Sequence, residues 1–234
     1  SLKCLTPGLR LGRVKTLPEE HAVSTNLQAR YDALHREMIA QFERTAAIEN
    51  HWLLYMLFGW ELFATCAVSH YLLEVRKIHD MRWPFVLVWL AQIAVAVGTL
   101  RLVTGRPRIE ESPLEPINKR IWTMFIFLCI NVAVLNVVAG QPVFVFMPAL
   151  AALSSLAFAF LSAVVSPRFT TAGFVMFASG ILMARFPAYA FLIYGTGWLC
   201  VLKTLGLVYL WKRNRWFASA TGLETDSRCT FQDE

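Results

Sequence analysis

Residues 51–73 read HWLLYMLFGWELFATCAVSHYLL, an apolar run interrupted near its middle by one carboxylate, Glu61. At about 1.5 Å of rise per residue this segment makes a helix roughly 34 Å long, enough to cross a hydrocarbon layer of about 30 Å. Asn50 stands where such a helix would be capped. The pattern recurs outward from there. WPFVLVWLAQIAVAVGTLRLV occupies 83–103 and IWTMFIFLCINVAVLNVVA occupies 121–139, and further apolar blocks follow at 142–165, 169–184 and 188–211. Gly140, Gln141 and Pro142 predict a tight turn, and Arg185, Phe186 and Pro187 a second short connection. The expected fold is all-α: a polytopic bundle of six transmembrane helices at about 52–73, 83–103, 121–139, 142–165, 169–184 and 188–211.

Composition agrees. Of the 234 residues, 56% are hydrophobic and 16% are charged, against about 25% charged in an average soluble domain. A soluble fold of this length buries only about 70–75% of the surface its unfolded chain exposes. That is too little to hide so much apolar area, so a water-soluble globular fold is excluded. The spans leave residues 1–50 as an N-terminal arm, 51–216 as the membrane domain and 217–234 as a polar tail, with no room for a second globular domain. Residues 1–30 hold no apolar run of about 7–15 residues and do not read as a secretion signal.

The net charge of +6 is carried beside membrane segments, where it serves anchoring and orientation rather than nucleic-acid binding. With six crossings, both termini share a side with the loops at 104–120 and 166–168. Sixteen Lys and Arg fall on that side and four on the other, with Arg101 and Lys203 inside spans. The imbalance places both termini in the cytoplasm or its organellar equivalent, in a bacterial inner membrane or an organellar one. Trp52, Trp83, Trp122 and Trp211 fall at predicted span ends, as an aromatic belt requires.

In the arm, Thr25 and Gln28 have the spacing of a capping box. Leu27, Tyr31, Leu34, Met38 and Phe42 then follow at helical steps, giving an amphipathic helix over 25–49 whose stripe calls for a partner surface. In the fourth span Ala151, Ser155, Ala159 and Ala163 recur every four residues, a small-residue face that lets another backbone approach. Gly195, Thr196 and Gly197 mark a close-packing or kink point in the last span.

The residues that could carry chemistry are few. Glu61 and Lys203 are the ionisable side chains deep within spans, each about 12–14 Å from the same membrane face. Equal depth on the first and last spans predicts an ion pair, either closing the bundle or forming a proton or ion site with Thr65, Ser69 and Thr196 nearby. Asn131, Asn136 and Gln92 read as interhelical hydrogen-bonding residues. The five cysteines have no C-x-x-C spacing, no H-E-x-x-H occurs, and no His lies inside a span to pair with a Ser or to bind haem. No metal, cofactor or catalytic constellation is expected. The chain therefore reads as a non-catalytic integral membrane subunit or scaffold, its partners the bilayer and other membrane subunits or a second copy. The alternative is a small proton-coupled transporter or channel using Glu61 and Lys203.

Overall fold

The computed structural model describes residues 18–48, 50–77, 83–104, 114–142 and 145–220. The first part of the arm, Cys4, the acidic turn at Glu110 and Glu111, and the tail beyond 220 with Cys229 lie outside the described residues. Two units form, residues 1–37 and 38–234. The described residues are helical apart from turns: α1 (Pro18–Ile48), α2 (His51–Glu74), α3 (Trp83–Thr104), α4 (Glu115–Val138), α5 (Met147–Val164), α6 (Phe169–Arg185) and α7 (Ala190–Ala220), with a single 3-10 turn, Pro187–Tyr189, before α7.

Five of these, α2, α3, α4, α5 and α7, are long and apolar enough to cross a membrane, which marks a membrane protein; α6, with 17 residues, is a shorter apolar helix. The block expected at 142–165 becomes helical only from Met147, with Pro148 in the first turn, and elsewhere helix limits depart from the apolar blocks where polar residues extend a helix beyond the hydrocarbon. α4 begins six residues before the block at 121, with Pro116 in its first turn, and α7 runs nine residues past 211. Trp122 consequently sits two turns inside α4 rather than at a span end. Its ring lies 5.7 Å from Phe158 and 6.0 Å from Trp198, so that half-buried Trp122 and Phe125 pack on the buried Phe158 and Trp198.

α1 starts at Pro18, seven residues before the predicted cap at Thr25. Proline fits a first helical position because its missing N–H would have no partner there. Within the first unit Leu27, Tyr31 and Leu34 are exposed. Within the second, Phe42 is buried and Met38 packs on the same core. Asn50 separates α1 from α2 in a left-handed conformation (φ 59°), which asparagine tolerates better than most residues. Its side chain does not cap α2. Instead its Oδ1 accepts from Arg213 at 2.6 Å and Trp52 at 3.4 Å, tying the start of α2 to the end of α7.

The most extensive interface joins α2 to α7, antiparallel, with α3 against the other side of α2 and α6 against α7. Van der Waals fit drives helix association in lipid, where apolar burial gives little, and small residues set this fit. A Cβ on Gly195 would come within 2.8 Å of Cys66 Cβ, and one on Gly197 within 2.7 Å of Ser179 Oγ. These two glycines, two residues apart, let α7 press against α2 on one side and α6 on the other, and α7 continues through them as unbroken helix. Across α5 and α6, Gly180 meets Ala151, and Gly173 meets the backbone of Ser155 and Ala159, whose exposed neighbour Ala163 extends the strip. Ser155 Oγ also donates to Gly173 O at 2.9 Å.

Candidate functional site

Glu61 lies ten residues into α2, about 15 Å along its axis. The α7-facing line of α2 is given by Gly59, which meets Leu199 and Leu202, and by Cys66, which meets Gly195. Glu61 is two residues past Gly59, about 200° round the helix, and so points away from α7 toward α3. There Thr99 Oγ1 donates to its Oε1. One turn on, Thr65 Oγ1 donates to Gln92 Oε1, and a further turn on is Ser69, fully buried. Glu61 and Thr65 thus line a polar seam between α2 and α3, and Ser69 continues the same stripe of α2. Glu61 Oε2, in that seam, and Ser69 Oγ are buried without a hydrogen-bond partner.

Lys203 does not enter it. Its Nζ lies over the ring of Trp60, 4.4 Å from the centroid. Trp60 is half exposed and, one residue from Glu61, is turned about 100° from it. The predicted Glu61–Lys203 ion pair therefore does not form: the depths match, but the two side chains leave the α2–α7 pair on different sides. Thr196 is also absent from the seam. Its neighbours Gly195 and Gly197 face α2 and α6, Tyr194 points inward to Ser154 Oγ at 3.1 Å, and Thr196 is left facing outward.

The outer edge formed by α2 and α7 is regular. On α7 the residues Thr196, Cys200, Lys203 and Leu207 succeed one another at helical spacing, and on α2 Leu57, Trp60, Ala64, Val68 and Tyr71 do the same. All are exposed except Lys203, which Trp60 partly covers. Lys203 is the lone cation along this edge, and among the described residues no carboxylate pairs with it.

Besides a mostly apolar hollow of about 310 Å³ between α4 and α5, two other hollows hold polar or charged side chains. One of about 450 Å³ opens between α3 and α4, lined by apolar side chains such as Trp89, Ile93, Phe125 and Ile130 with Gln92 among them. α3 and α4, consecutive in the chain, have little contact across it. The other, about 220 Å³, lies between the end of α1 and the end of α7. Sequence reasoning missed this one, because it depends on Glu43 meeting Lys212, 169 residues away. Of the other intramembrane amides, Asn136 Nδ2 donates to Gln141 O at 3.2 Å and closes its own turn rather than bridging helices. Asn131 is exposed. Among the described residues no group of three His, Cys, Asp or Glu side chains converges. No family model, curated protein or solved structure matched this chain.

Proposed function

We propose that this chain is a non-catalytic integral membrane subunit, and that the α2–α7 edge receives a transmembrane helix of a different protein carrying an acidic residue. Lys203 is the observation that supports this. It lies nine residues before Lys212, about 13 Å from the end of the apolar part of α7. A cation at such depth costs about 2.5–3.5 kcal/mol even on cautious scales, and a ring face offsets only part of that. A partner carboxylate offsets more. Small residues beside it, Ala64, Thr196 and Cys200, leave room for a helix to approach. A second copy of this chain is a poor donor, because Glu61, the carboxylate within the apolar length of a span, is turned into the α2–α3 seam.

The six-span topology belongs to the same reading. Arg168, just before α6, pairs with Glu43 at 3.2 Å, and Glu43 also pairs with Lys212 at the end of α7. The other end of α6 joins the start of α7 through Pro187–Tyr189. α6 then covers most of the apolar depth of α7, about 25 Å, and acts as the sixth crossing, with both termini on the cytoplasmic or equivalent side.

The test is extraction from native membranes in mild detergent, followed by native mass measurement of the wild-type chain and of Lys203→Leu. A stoichiometric heteromer lost in the variant supports the subunit reading. A chain running alone in both forms contradicts it. A second reading, a proton-coupled transporter, is favoured by one observation: Glu61 Oε2 lies buried without a hydrogen-bond partner. That reading requires Glu61→Gln to abolish flux while the chain still folds.

A further inference from the structure

At the end of the bundle where α1 and α7 stop, the charges do not balance. Ala40, Glu43 and Arg44 of α1 and Lys212, Arg213, Trp216 and Phe217 of α7 enclose the 220 Å³ hollow. Its lining holds three cations and one carboxylate. That carboxylate is already engaged on both oxygens, Oε1 by Arg168 and Oε2 by Lys212. Arg213 is held by a neutral acceptor, Asn50 Oδ1, and its guanidinium lies 6.0 Å from the centroid of Trp52 and 5.6 Å from that of Phe217. It is a fixed cation with no counter-ion among the described residues. Arg44, exposed on the rim, has none either.

The level of the hollow narrows the ligand. The apolar run of α7 ends at Leu210, Trp216 lines the hollow and Trp52 lies beside Arg213, and such indole rings at the end of an apolar run meet headgroups. A guanidinium fork offers paired donors that fit the oxygens of a phosphate, and basic hollows between helices at the cytoplasmic end of a bundle suit anionic headgroups. We propose that this hollow binds the phosphate of an anionic membrane phospholipid. Arg213 and Arg44 take the phosphate oxygens, Lys212 adds charge while keeping its bond to Glu43, and Trp216 and Phe217 lie against the ester carbons.

The experiment uses the full chain in nanodiscs of phosphatidylcholine, alone or with phosphatidylglycerol, and follows thermal unfolding. For the wild type, phosphatidylglycerol raises Tm by about 4 °C, as expected for a ligand several-fold above its Kd. In Arg44→Gln/Arg213→Gln most of that rise is lost. Because Arg213 also holds Asn50, each variant is compared with itself in pure phosphatidylcholine. The single variant Arg44→Gln, which breaks no internal bond, loses an intermediate share. No rise in the wild type, or an undiminished rise in the double variant, overturns the proposal. An equal rise on adding inorganic phosphate to phosphatidylcholine discs also overturns it, because the source is then a soluble phosphate.

Discussion

Glu61 and Lys203 sit at similar depth on two helices in close contact, yet their surroundings are opposite. The carboxylate faces the α2–α3 seam, where Thr99 donates to it and the Thr65–Gln92 bond continues the polar line one turn away. The ammonium faces the outer edge of α2 and α7, where a single indole covers it. The first region answers one oxygen of the carboxylate and the neighbouring Thr65 hydroxyl within the chain, while Glu61 Oε2 and Ser69 Oγ stay without a hydrogen-bond partner. The other leaves a charge that this chain does not neutralise. A polar group stays in a membrane helix only where something answers it, and on the proposed subunit reading the second region is where a partner does so.

The comparison depends on the close approach of α2 to α7, so the largest effect comes from spoiling that fit. Gly195→Leu places a side chain where even a Cβ meets Cys66 at 2.8 Å. The expected loss is about 3 kcal/mol of unfolding free energy, measured by reversible denaturation in mixed micelles, with Gly195→Ala intermediate. An unchanged midpoint would mean that α2 and α7 stand farther apart than described.

Next is Lys203→Leu, which leaves the seam intact and removes the unanswered charge. Partner affinity falls about 30-fold or more, as when one member of a buried charge pair is truncated, about 2 kcal/mol. Titration of the purified pair in detergent reads this directly. Thr99→Val is smaller: it deprives Glu61 Oε1 of its donor and lowers stability by about 1 kcal/mol, in the usual range for intramembrane hydrogen bonds. It leaves partner binding unchanged, and weaker partner binding in this variant would erase the distinction between the two regions. The smallest effect expected is that of Lys203→Leu on the isolated chain, near zero or slightly stabilising, in the same denaturation assay. A large destabilisation there would show that Lys203 is answered within the chain.

Much of the fold is readable from apolar block length, because a span must match the membrane thickness whatever it packs against. α2 and α3 match their blocks to within a residue at each end. The limits that moved outward, at the starts of α1 and α4 and the end of α7, are those where polar residues continue a helix into water and hydropathy gives no signal, whereas α5 starts at Met147, five residues inside its apolar block, with a proline in its first turn. At the site, the sequence supplied depth but not rotation. Residue counting puts Glu61 and Lys203 at one level, whereas their facing depends on which residues α2 turns toward α7. Gly59 and Gly195 carry that information, and recognising it requires knowing that they meet the partner helix. On α5, Ala151 and Ser155 meet Gly180 and Gly173, a close approach that only small side chains permit. The basic hollow was not readable at all, since its central acid and its cations come from opposite ends of the chain.

The most direct test of the central claim is photo-crosslinking in native membranes from a probe at Thr196, beside Lys203 on the outer edge, with Lys203 intact or replaced by leucine. One protein adduct is expected, its crosslinked peptide from a transmembrane segment containing Asp or Glu, and that adduct is lost in Lys203→Leu. Lipid adducts alone, or a protein adduct indifferent to Lys203, would contradict that claim.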